Sequence, residues 1–578
     1  MGSNYEVMQQ KDFLSAHNSS EPDQLISPSP PLAVAVSGGG PRKGTNNNCE
    51  LEETIMKQIL IAAMIISAAG VFGMPEEKNI TEIRNIAKAE KFYERAVSLY
   101  SADADSKTQE EYFQLFRKAA EFGHVEARYM LGLCKTEGLG CERAPAEAFE
   151  WYLKAAEQGH HLAMWRVGEA YYWGLGIKQD YPKAVYWLQK AADAGVSQAQ
   201  WRLGVCFMVG QGVKADCPKA FKLYMQAAKG GDAEAQWRLA DCLLRGLGTQ
   251  RDIAQGLYWM ELAEKQNSAE AQWRLGECYY EGWFVPVDYK KAFDLLKKSA
   301  EQGHPSGQRL FGDCYFDGRG VERNYAEGLK WHLKASAQND SQAQYTVAQV
   351  YLTGNGAAKD VKKGMQFLES SAKLGNPHAQ WYLARLYWNG CDFLPSDRAR
   401  AIELWHLGAE QGDEKSLTDL GDAYQWGEGV KKDIKKAAEL YLSAAQKDFP
   451  RAMVRLSDLH LEGEGGVIKS SVYVIALLTL AAERGHSEAQ WKLGSHYLYG
   501  EIVPGDAKKA VSLFSKSAEQ GDADGEYYLA ACYLYGWGVK KDEPAAETLL
   551  RRAVQKGNTS AKELLEKVSA KKTTPPTE

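Results

Sequence analysis

Apolar positions over most of the chain follow two helix-like patterns in turn, separated by short glycine-containing breaks. In residues 161–196 each apolar set recurs at i, i+4, i+7 and i+8, which places its members on one face of an α-helix. The first set is Ala163, Val167, Ala170 and Tyr171, and the second is Ala184, Leu188, Ala191 and Ala192. The break at 174–177 lies between them. The segment therefore predicts two amphipathic helices joined by a short turn.

Signals for helix ends stand where the two patterns begin and stop. Asp180 can act as an N-cap acceptor for the second helix. Pro182 falls in the first turn, where its missing N–H costs nothing. Gly195 follows the second helix, and only Gly or Asn occupies the equivalent position in the surrounding units, as a left-handed C′ residue requires. These signals predict one antiparallel helix pair in each unit.

The two-helix unit recurs every 36 or 37 residues from residue 108 onward. One small residue marks the first helix of each unit. These twelve markers are Ala127, Ala163, Ala199, Ala235, Ala271, Gly307, Ala343, Ala379, Ser416, Ala452, Ala489 and Gly525. Such a period is typical of solenoids. The sequence thus predicts an all-α, right-handed superhelical solenoid of about twelve antiparallel helix pairs.

The repeats share specific motifs: Ala-Gln-Trp-Arg-Leu-Gly at 199–204 and 271–276, Gly-x-Gly-Val, and Lys-Ala-Ala-Glu-Gln-Gly-His at 154–160. In these motifs residues 108–570 resemble the Sel-one-like repeat family, a branch of the tetratricopeptide-like repeats. Some turns depart from the pattern, because the second loop glycine is missing after Gly282, Gly390 and Gly500, and Asp448 replaces the C′ glycine. The resemblance implies a scaffold or adaptor that binds proteins, often in secreted or signalling settings, and it names no partner.

Five segments make up the expected layout. Residues 1–55 have turn and linker composition, which is typical of a disordered extension or an upstream or fusion segment. Residues 56–73 join a positive start to an apolar run with small residues at its end, which is the pattern of a signal peptide. A helical cap at 74–124 precedes the twelve repeats at 125–558. A capping helix and a disordered tail at 559–578 follow them.

The interior position of the apolar run makes its meaning depend on the start of translation. If translation starts at Met56, we expect a mature chain that begins near Met74 and is secreted or periplasmic, in either case extracytoplasmic. Otherwise the run is an internal anchor or a buried helix, and the protein is membrane-anchored or cytoplasmic. A membrane is expected as a partner only through an uncleaved 56–73 segment.

Charge content narrows the class of partner, and cysteine content narrows the kind of fold. With 69 basic and 75 acidic residues and a net charge of −6, the chain has no bulk positive field, which argues against nucleic acid as a partner. Ten cysteines are far fewer than a disulfide scaffold needs. Six of them share one repeat position and are predicted to be unpaired core thiols. They are Cys134, Cys206, Cys242, Cys278, Cys314 and Cys532, and a small loop closed by Cys134 and Cys141 is the alternative.

Motifs for catalysis are sparse. No P-loop, Gly-x-Ser-x-Gly or His-Glu-x-x-His sequence occurs, so we expect no cofactor, no metal and no catalytic residue. Ser370 and Lys373 fit Ser-x-x-Lys, a pattern of β-lactam chemistry, but Ser-Asp-Asn and Lys-Thr-Gly do not accompany it. His160 and His161 lie at a turn between repeats, where we expect them to be solvated rather than bound to metal.

One row of aromatic residues is not explained by the core pattern. It stands two positions after the marker, about 200° around the helix from the core stripe. Arginines follow the first tryptophans of the row, and acidic residues and tyrosines recur further along the same helices. The candidate partner-binding residues are Trp165, Arg166, Glu169, Tyr172, Trp201, Arg202, Trp237, Arg238, Asp241, Trp273, Arg274, Glu277, Tyr280, Tyr345 and Trp381, with Trp491 in the same register.

By resemblance to tetratricopeptide arrays, this row lines a concave groove, where aromatic and charged residues are typical of a protein-binding region. The function expected is a non-enzymatic scaffold or adaptor that binds a protein or peptide in that groove. Packing of the aromatic residues on each other between repeats is the competing interpretation of the row. The competing functions are an enzyme acting on cell-wall or β-lactam substrates and a purely structural assembly factor of an envelope complex.

Overall fold

The computed structural model describes residues 76–101 and 103–573, and in that part of the chain it contains 27 α-helices. The predicted extension at 1–55, the signal-peptide-like segment at 56–73 and the last five residues lie outside the described residues. The helices are α1 Glu76–Leu99, α2 Ser106–Glu121, α3 Val125–Glu137, α4 Pro145–Glu157, α5 His161–Trp173, α6 Tyr181–Asp193, α7 Ser197–Val209, α8 Cys217–Lys229, α9 Ala233–Arg245, α10 Ile253–Lys265, α11 Ala269–Glu281, α12 Tyr289–Glu301, α13 Pro305–Asp317, α14 Tyr325–Ser336, α15 Ser341–Thr353, α16 Val361–Lys373, α17 Pro377–Asn389, α18 Arg398–Glu410, α19 Glu414–Trp426, α20 Ile434–Ala445, α21 Pro450–Glu462, α22 Ser471–Glu483, α23 Ser487–Tyr499, α24 Ala507–Glu519, α25 Ala523–Tyr535, α26 Glu543–Gln555 and α27 Thr559–Thr573.

The predicted all-α solenoid of helix pairs is confirmed. Odd-numbered helices from α3 to α25 are the first helices of twelve repeats, and the even-numbered helices that follow them are the second helices. Helices α1 and α2 precede these repeats, and α27 follows them as a further helix of the first type. The chain forms two compact units. Among the described residues, one unit contains those up to 310 with 319–321, and the other contains 311–318 and those from 322 to 573.

Within each unit, the core lies between the two helices of a repeat and between neighbouring repeats. In the pair α5 and α6, Ala163, Val167 and Leu188 have no exposed surface. The caps follow the sequence signals: the Asp180 side chain accepts a hydrogen bond of 3.0 Å from the Lys183 N–H, and Gly174 ends α5 in the left-handed conformation. Short apolar stripes and local caps are therefore sufficient to define each helix pair.

Two of the departures from the repeat pattern keep the left-handed backbone conformation of the glycines they replace. Asp448 adopts a φ of 67°, and its carboxylate forms an ion pair with Arg484. Phe284, which stands where other repeats have the second loop glycine, has a φ of 64°. The Arg251 guanidinium lies 5.1 Å from the centre of the Phe284 ring. Because left-handed backbone is unfavourable for residues with a Cβ, tertiary contacts must hold these two turns.

The second loop glycine has a packing role that can be measured at Gly176. Its φ is +71°, and a Cβ there would lie 2.4 Å from the carbonyl carbon and oxygen of Pro145, whereas a Cβ on Gly195, with a φ of +86°, would contact nothing. We expect Gly195→Ala to lower the free energy of unfolding by about 1 kcal/mol through backbone strain. Gly176→Ala should lower it by roughly 2–4 kcal/mol, since steric overlap is added to the strain. Urea denaturation compares the two variants, and equal losses would exclude a role for the contact.

The six cysteines that share a repeat position are buried, and Cys134, Cys206, Cys242, Cys278 and Cys532 are unpaired, as predicted. Burial raises the pKa of the Cys134 thiol to about 12, which keeps it protonated at neutral pH. Cys141 is also unpaired, and its Sγ lies 3.6 Å from the Cys134 carbonyl oxygen. In the part of the chain with described positions, none of the helices has the length and hydropathy needed to cross a membrane.

Candidate functional site: the first-helix face

The aromatic row lies on the first helices at several depths. We call its members the ladder: Trp165, Trp201, Trp237, Trp273, Tyr345, Trp381 and Trp491. Trp237 and Trp201 are buried, with 2% and 9% of their surface exposed. The other five ladder residues are half-buried. The ladder is thus closed at its centre in the first unit and partly open on either side of it.

Guanidinium groups separate the ladder rings in the first unit. The Arg238 guanidinium lies 4.2 Å from the centre of the Trp237 ring and 5.0 Å from that of Trp201. Arg274 lies 4.7 Å from Trp237 and 4.8 Å from Trp273. Each arginine therefore contacts its own tryptophan and the tryptophan of the preceding repeat. The resulting cation–π stack joins three consecutive repeats.

Ion pairs run along the same face from one repeat to the next. The basic residue three positions after the marker meets the acidic residue six positions after the preceding marker. Arg202 Nε lies 2.6 Å from Glu169 Oε1 in the first unit, and Lys492 Nζ lies 2.7 Å from Asp458 Oδ2 in the second. Other pairs in this register are Arg274 with Asp241 at 3.9 Å and Arg455 with Asp422 at 3.5 Å. The basic side chains are therefore already engaged within the protein.

Burial and charge act in opposite directions on the carboxylates of the face. Burial by itself raises the pKa of Glu270, but the Arg274 charge and a hydrogen bond from His304 hold that pKa well below its usual range. At Glu277 burial is the larger effect, and the pKa is raised although Arg274 is near. Glu270 is thus a firmly ionised structural partner, whereas Glu277 is the more easily protonated of the two.

Two of the tyrosines predicted to line the groove, Tyr172 and Tyr280, are buried. Tyr172 is buried and its hydroxyl donates a hydrogen bond of 2.6 Å to Gln211 in the turn of the following repeat. Tyr280 is buried as well, and the Arg319 guanidinium of the following turn lies 4.7 Å from its ring centre. Both residues connect one repeat to the next.

A row of glutamines on the first helices was missed in the sequence. Gln236 donates to the Ala228 carbonyl of the preceding repeat at 3.4 Å and accepts from Gln266 Nε2, at the end of its own second helix, at 2.7 Å. The same bond between glutamines recurs at 2.6 Å from Gln302 to Gln272 and at 2.8 Å from Gln520 to Gln490. The signal was the Gln of the Ala-Gln-Trp motif, which recurs beside the ladder. Gln236 in this way hydrogen-bonds to the C-terminal ends of two second helices, α8 and α10.

Histidines act as N-caps at four junctions between repeats. The Nδ1 atoms of His124, His160, His304 and His486 accept a hydrogen bond from the N–H three residues on, at 3.0–3.4 Å. Because Nδ1 accepts, Nε2 carries the proton. It donates to Glu126 from His160 at 2.9 Å and to Glu270 from His304 at 2.8 Å. The expectation that His160 is solvated was therefore wrong, since it caps a helix, pairs with Glu126 and keeps only 11% of its side chain exposed. His161 is exposed.

The N-cap at His486 should make stability depend on pH. Burial lowers the pKa of His486 below its usual value, so the fold favours the neutral imidazole that can accept the cap bond. Its contribution is complete above an unfolded-state pKa of about 6.5 and is lost as the pH falls from there through the lower folded-state pKa. We expect wild type to lose about 1 kcal/mol over that range relative to His486→Asn. Asn376 and Asn558 already serve as caps at equivalent positions. Thermal unfolding at a series of pH values is the measurement, and parallel curves would exclude this role.

Features of an enzyme are not assembled among the described residues. Ser370 and Lys373 are both exposed at the end of α16, and the intervening Ser371 is buried with its hydroxyl donating to the Ser341 carbonyl oxygen at 2.6 Å. Among residues 76–101 and 103–573 there is also no cluster of His, Cys, Asp and Glu that could hold a metal ion.

Comparison with known proteins identifies the family of the repeats. A model described as "Sel1 repeat" matches thirteen segments, the first of which falls in the predicted N-terminal cap. They are 82–101, 125–160, 161–196, 197–232, 233–268, 269–304, 305–340, 341–376, 377–413, 415–449, 450–486, 487–522 and 523–558.

Three relatives give this match context. The crystal structure of c5321, a protective antigen of uropathogenic Escherichia coli with an SLR fold, is 29% identical. The alignment covers 81% of this chain and 98% of that one, with a TM-score of 0.50. Over 66 residues the chain is 41% and 39% identical to the Arabidopsis thaliana ERAD-associated E3 ubiquitin-protein ligase components HRD3B and HRD3A. These alignments span 11% of this chain and only 11% and 10% of the two relatives.

Proposed function

The chain belongs to the Sel1 repeat family, and from this premise we propose that it is a non-enzymatic scaffold that binds a protein or peptide on its first-helix face. The observation that carries the proposal is the partial exposure of five ladder residues on helices fixed by contacts between repeats. Half-buried Trp and Tyr residues on a rigid support lose little conformational entropy on binding. They are the residue types that contribute most to protein interfaces.

Different ladder residues have different parts in this proposal. Trp165 and Trp273 offer the exposed aromatic surface in the first unit, and Tyr345 and Trp381 offer it in the second. The arginines of the ladder act as supports, because their guanidinium groups already stack on tryptophan rings or pair with carboxylates. A partner is therefore recognised through the exposed edges of the aromatic rings, and the charged groups hold those rings in position.

The cellular setting is part of the proposal. A start at Met56 would give the chain a signal peptide and an extracytoplasmic location. The antigen c5321, to which most of this chain is similar, is described as protective and present in uropathogenic strains, which suits a location outside the cytoplasm. The similarity to HRD3A and HRD3B spans too little of those proteins to transfer their ligase assembly to this chain.

Burial at the centre of the ladder favours a second function. Trp201 and Trp237 present almost no surface to a partner, and their stack with Arg238 and Arg274 supports the shape of the first unit. A structural spacer or assembly factor would use the ladder in this way throughout. The two functions differ in whether the half-buried ladder residues contribute to binding.

The decisive experiment separates binding from folding at matched tryptophans. Partners are captured from the native source by cross-linking to the full chain, identified, and then titrated as purified proteins. We expect Trp165→Ala and Trp381→Ala each to weaken binding about 30-fold, equivalent to about 2 kcal/mol. Trp259→Ala, a half-buried tryptophan on a second helix, is the control and should leave affinity unchanged. Unchanged affinity in both ladder variants, with normal urea midpoints, would favour the structural function.

A further inference from the structure

One second helix of the second unit lacks the lysines that its neighbours carry. The second and third residues of α20 are Lys435 and Lys436, and those of α24 are Lys508 and Lys509. In α22, which lies between them in the repeat order, the same two positions are Val472 and Tyr473. An apolar pair in α22 thus stands between the lysine pairs of the two neighbouring second helices.

These residues and the preceding turn form an apolar projection, which we call the knuckle: Ile468, Val472 and Tyr473. Their exposed fractions are 73%, 75% and 55%. Exposure this high means that the side chains protrude from the surface instead of lining a groove. Large apolar groups at such exposure cost solubility, so they indicate a contact that covers them.

Hydrogen bonds and a ring contact within the same repeat hold the backbone of the knuckle in place. His460 Nδ1 donates a hydrogen bond of 2.8 Å to the Ile468 carbonyl oxygen, and the His460 ring centre lies 5.0 Å from that of Tyr473. The hydroxyl of Ser470 caps α22 by accepting from the Tyr473 N–H at 3.4 Å. The backbone that presents the three apolar side chains is therefore braced by its own repeat.

Lysines border the knuckle from the adjoining repeats. The turn before α22 lies on the start of α20, since a Cβ on Gly465 would be 2.5 Å from the Ile434 Cβ. Ile502, in the turn before α24, packs on the cluster that contains Val474 of α22. Neighbouring helices pack about 10 Å apart, which places Lys435 and Lys508 on opposite sides of the knuckle.

The charge at this border is available for an external contact. Lys435, Lys469 and Lys508 are exposed, and none of them forms an ion pair with a described residue. The acidic N-caps of the flanking helices, Asp433 and Asp506, bind backbone N–H groups at 3.0 Å. Asp433, Asp506, Glu462 and Glu464 offset most of this positive charge, so the lysines act as individual exposed ammonium groups beside the apolar residues.

We propose that the knuckle docks on the surface of a lipid bilayer with anionic headgroups. Aliphatic side chains and a tyrosine that protrude between lysines match the boundary between headgroups and acyl chains, where apolar groups insert and ammonium groups meet lipid phosphates. This contact is peripheral, lies in the second unit, and depends on neither the 56–73 segment nor the protein-binding function. A protein partner would instead have to enclose three separate projections.

Vesicle sedimentation with the full chain tests the proposal. Wild type should bind vesicles of equimolar phosphatidylcholine and phosphatidylglycerol, and phosphatidylcholine vesicles more weakly. Val472→Lys with Tyr473→Lys installs the pair that the neighbouring helices carry, so folding should be preserved. We expect it to weaken binding to the mixed vesicles about tenfold or more, although it adds two positive charges. Ile468→Ser should weaken binding to both vesicle types.

Two further variants complete the design. Lys435→Ala with Lys508→Ala should reduce binding to the mixed vesicles and leave binding to phosphatidylcholine unchanged. Tyr258→Lys changes a tyrosine on α10 that is 58% exposed, outside the knuckle, and should alter neither. Absence of wild-type binding to both vesicle types would overturn the proposal. So would equal or tighter binding of the double lysine variant, because attraction between charges would then explain the sedimentation.

Discussion

Replacing Trp237 by alanine is expected to lower the free energy of unfolding of the first unit by about 3–5 kcal/mol. Its indole is 2% exposed, packs in a cluster with Leu244 and Met260, and donates a hydrogen bond of 3.0 Å to Glu234. The substitution leaves a cavity between Arg238 and Arg274, whose guanidinium groups lose the ring they share. Urea unfolding followed by circular dichroism measures the loss.

Trp273 is the matched comparison for this prediction. It occupies the same repeat position in the next repeat and is half-buried, so its replacement removes less buried surface. Trp273→Ala should therefore cost clearly less than Trp237→Ala. A Trp237→Ala variant whose urea midpoint stays within experimental error of wild type would contradict the packing described for the ladder centre.

Removing Glu169 alone should cost about 3–5 kcal/mol, because it leaves the buried Arg202 guanidinium without its carboxylate. Arg202 Nε lies 2.6 Å from Glu169 Oε1, and its guanidinium also stacks on Trp201 at 4.2 Å. A Glu169→Leu variant keeps most of the side-chain volume and removes the charge. The free energy of unfolding of this variant reports the cost of an unpaired buried cation.

A double variant tests whether the cost arises from the unpaired charge. Glu169→Leu with Arg202→Met replaces the ion pair by apolar side chains, and such replacements are often neutral or stabilising. We expect the double variant to regain most of the stability lost by Glu169→Leu. Arg202→Met alone completes the comparison. If the loss of stability in the double variant equals the sum of the losses in Glu169→Leu and Arg202→Met, the two residues act independently and the ion pair has no energetic role.

The sequence predicted the elements whose determinants are local. The caps at Asp180 and Gly195 depend on residues within one or two turns of the helix end, and both were confirmed. The twelve helix pairs followed from the period of 36 or 37 residues, because each repeat carries its own apolar stripes and helix-end signals. The left-handed conformation of Phe284 could be anticipated only as a weakened turn, because the Arg251 contact comes from another repeat.

The depth of the ladder could not be read from the helix pattern. An angle of about 200° from the core stripe describes one helix, whereas the exposure of Trp237 depends on how closely the adjoining first helices approach. The arginines that enclose Trp237 sit at the predicted positions, yet their interleaving between repeats is a tertiary property. The bonds between glutamines and the pair of His160 with Glu126 were missed because each joins partners 30 or more residues apart, whereas the histidine caps are local and span three residues.

The bonds between repeats also bear on how such a chain can change length. Gln236 and Gln272 each accept from a glutamine 30 residues later, so each of these two repeats carries both halves of its own connection. Residues 233–239 and 269–275 are identical, which means that excision of 233–268 would bring Gln272, Trp273 and Arg274 to the positions of Gln236, Trp237 and Arg238. Unequal recombination at such matched stretches would add or remove whole units and keep the bond between glutamines in the remaining unit. The array can therefore lengthen or shorten in steps of 36 residues, which changes the combination of surface residues and keeps the contacts between repeats.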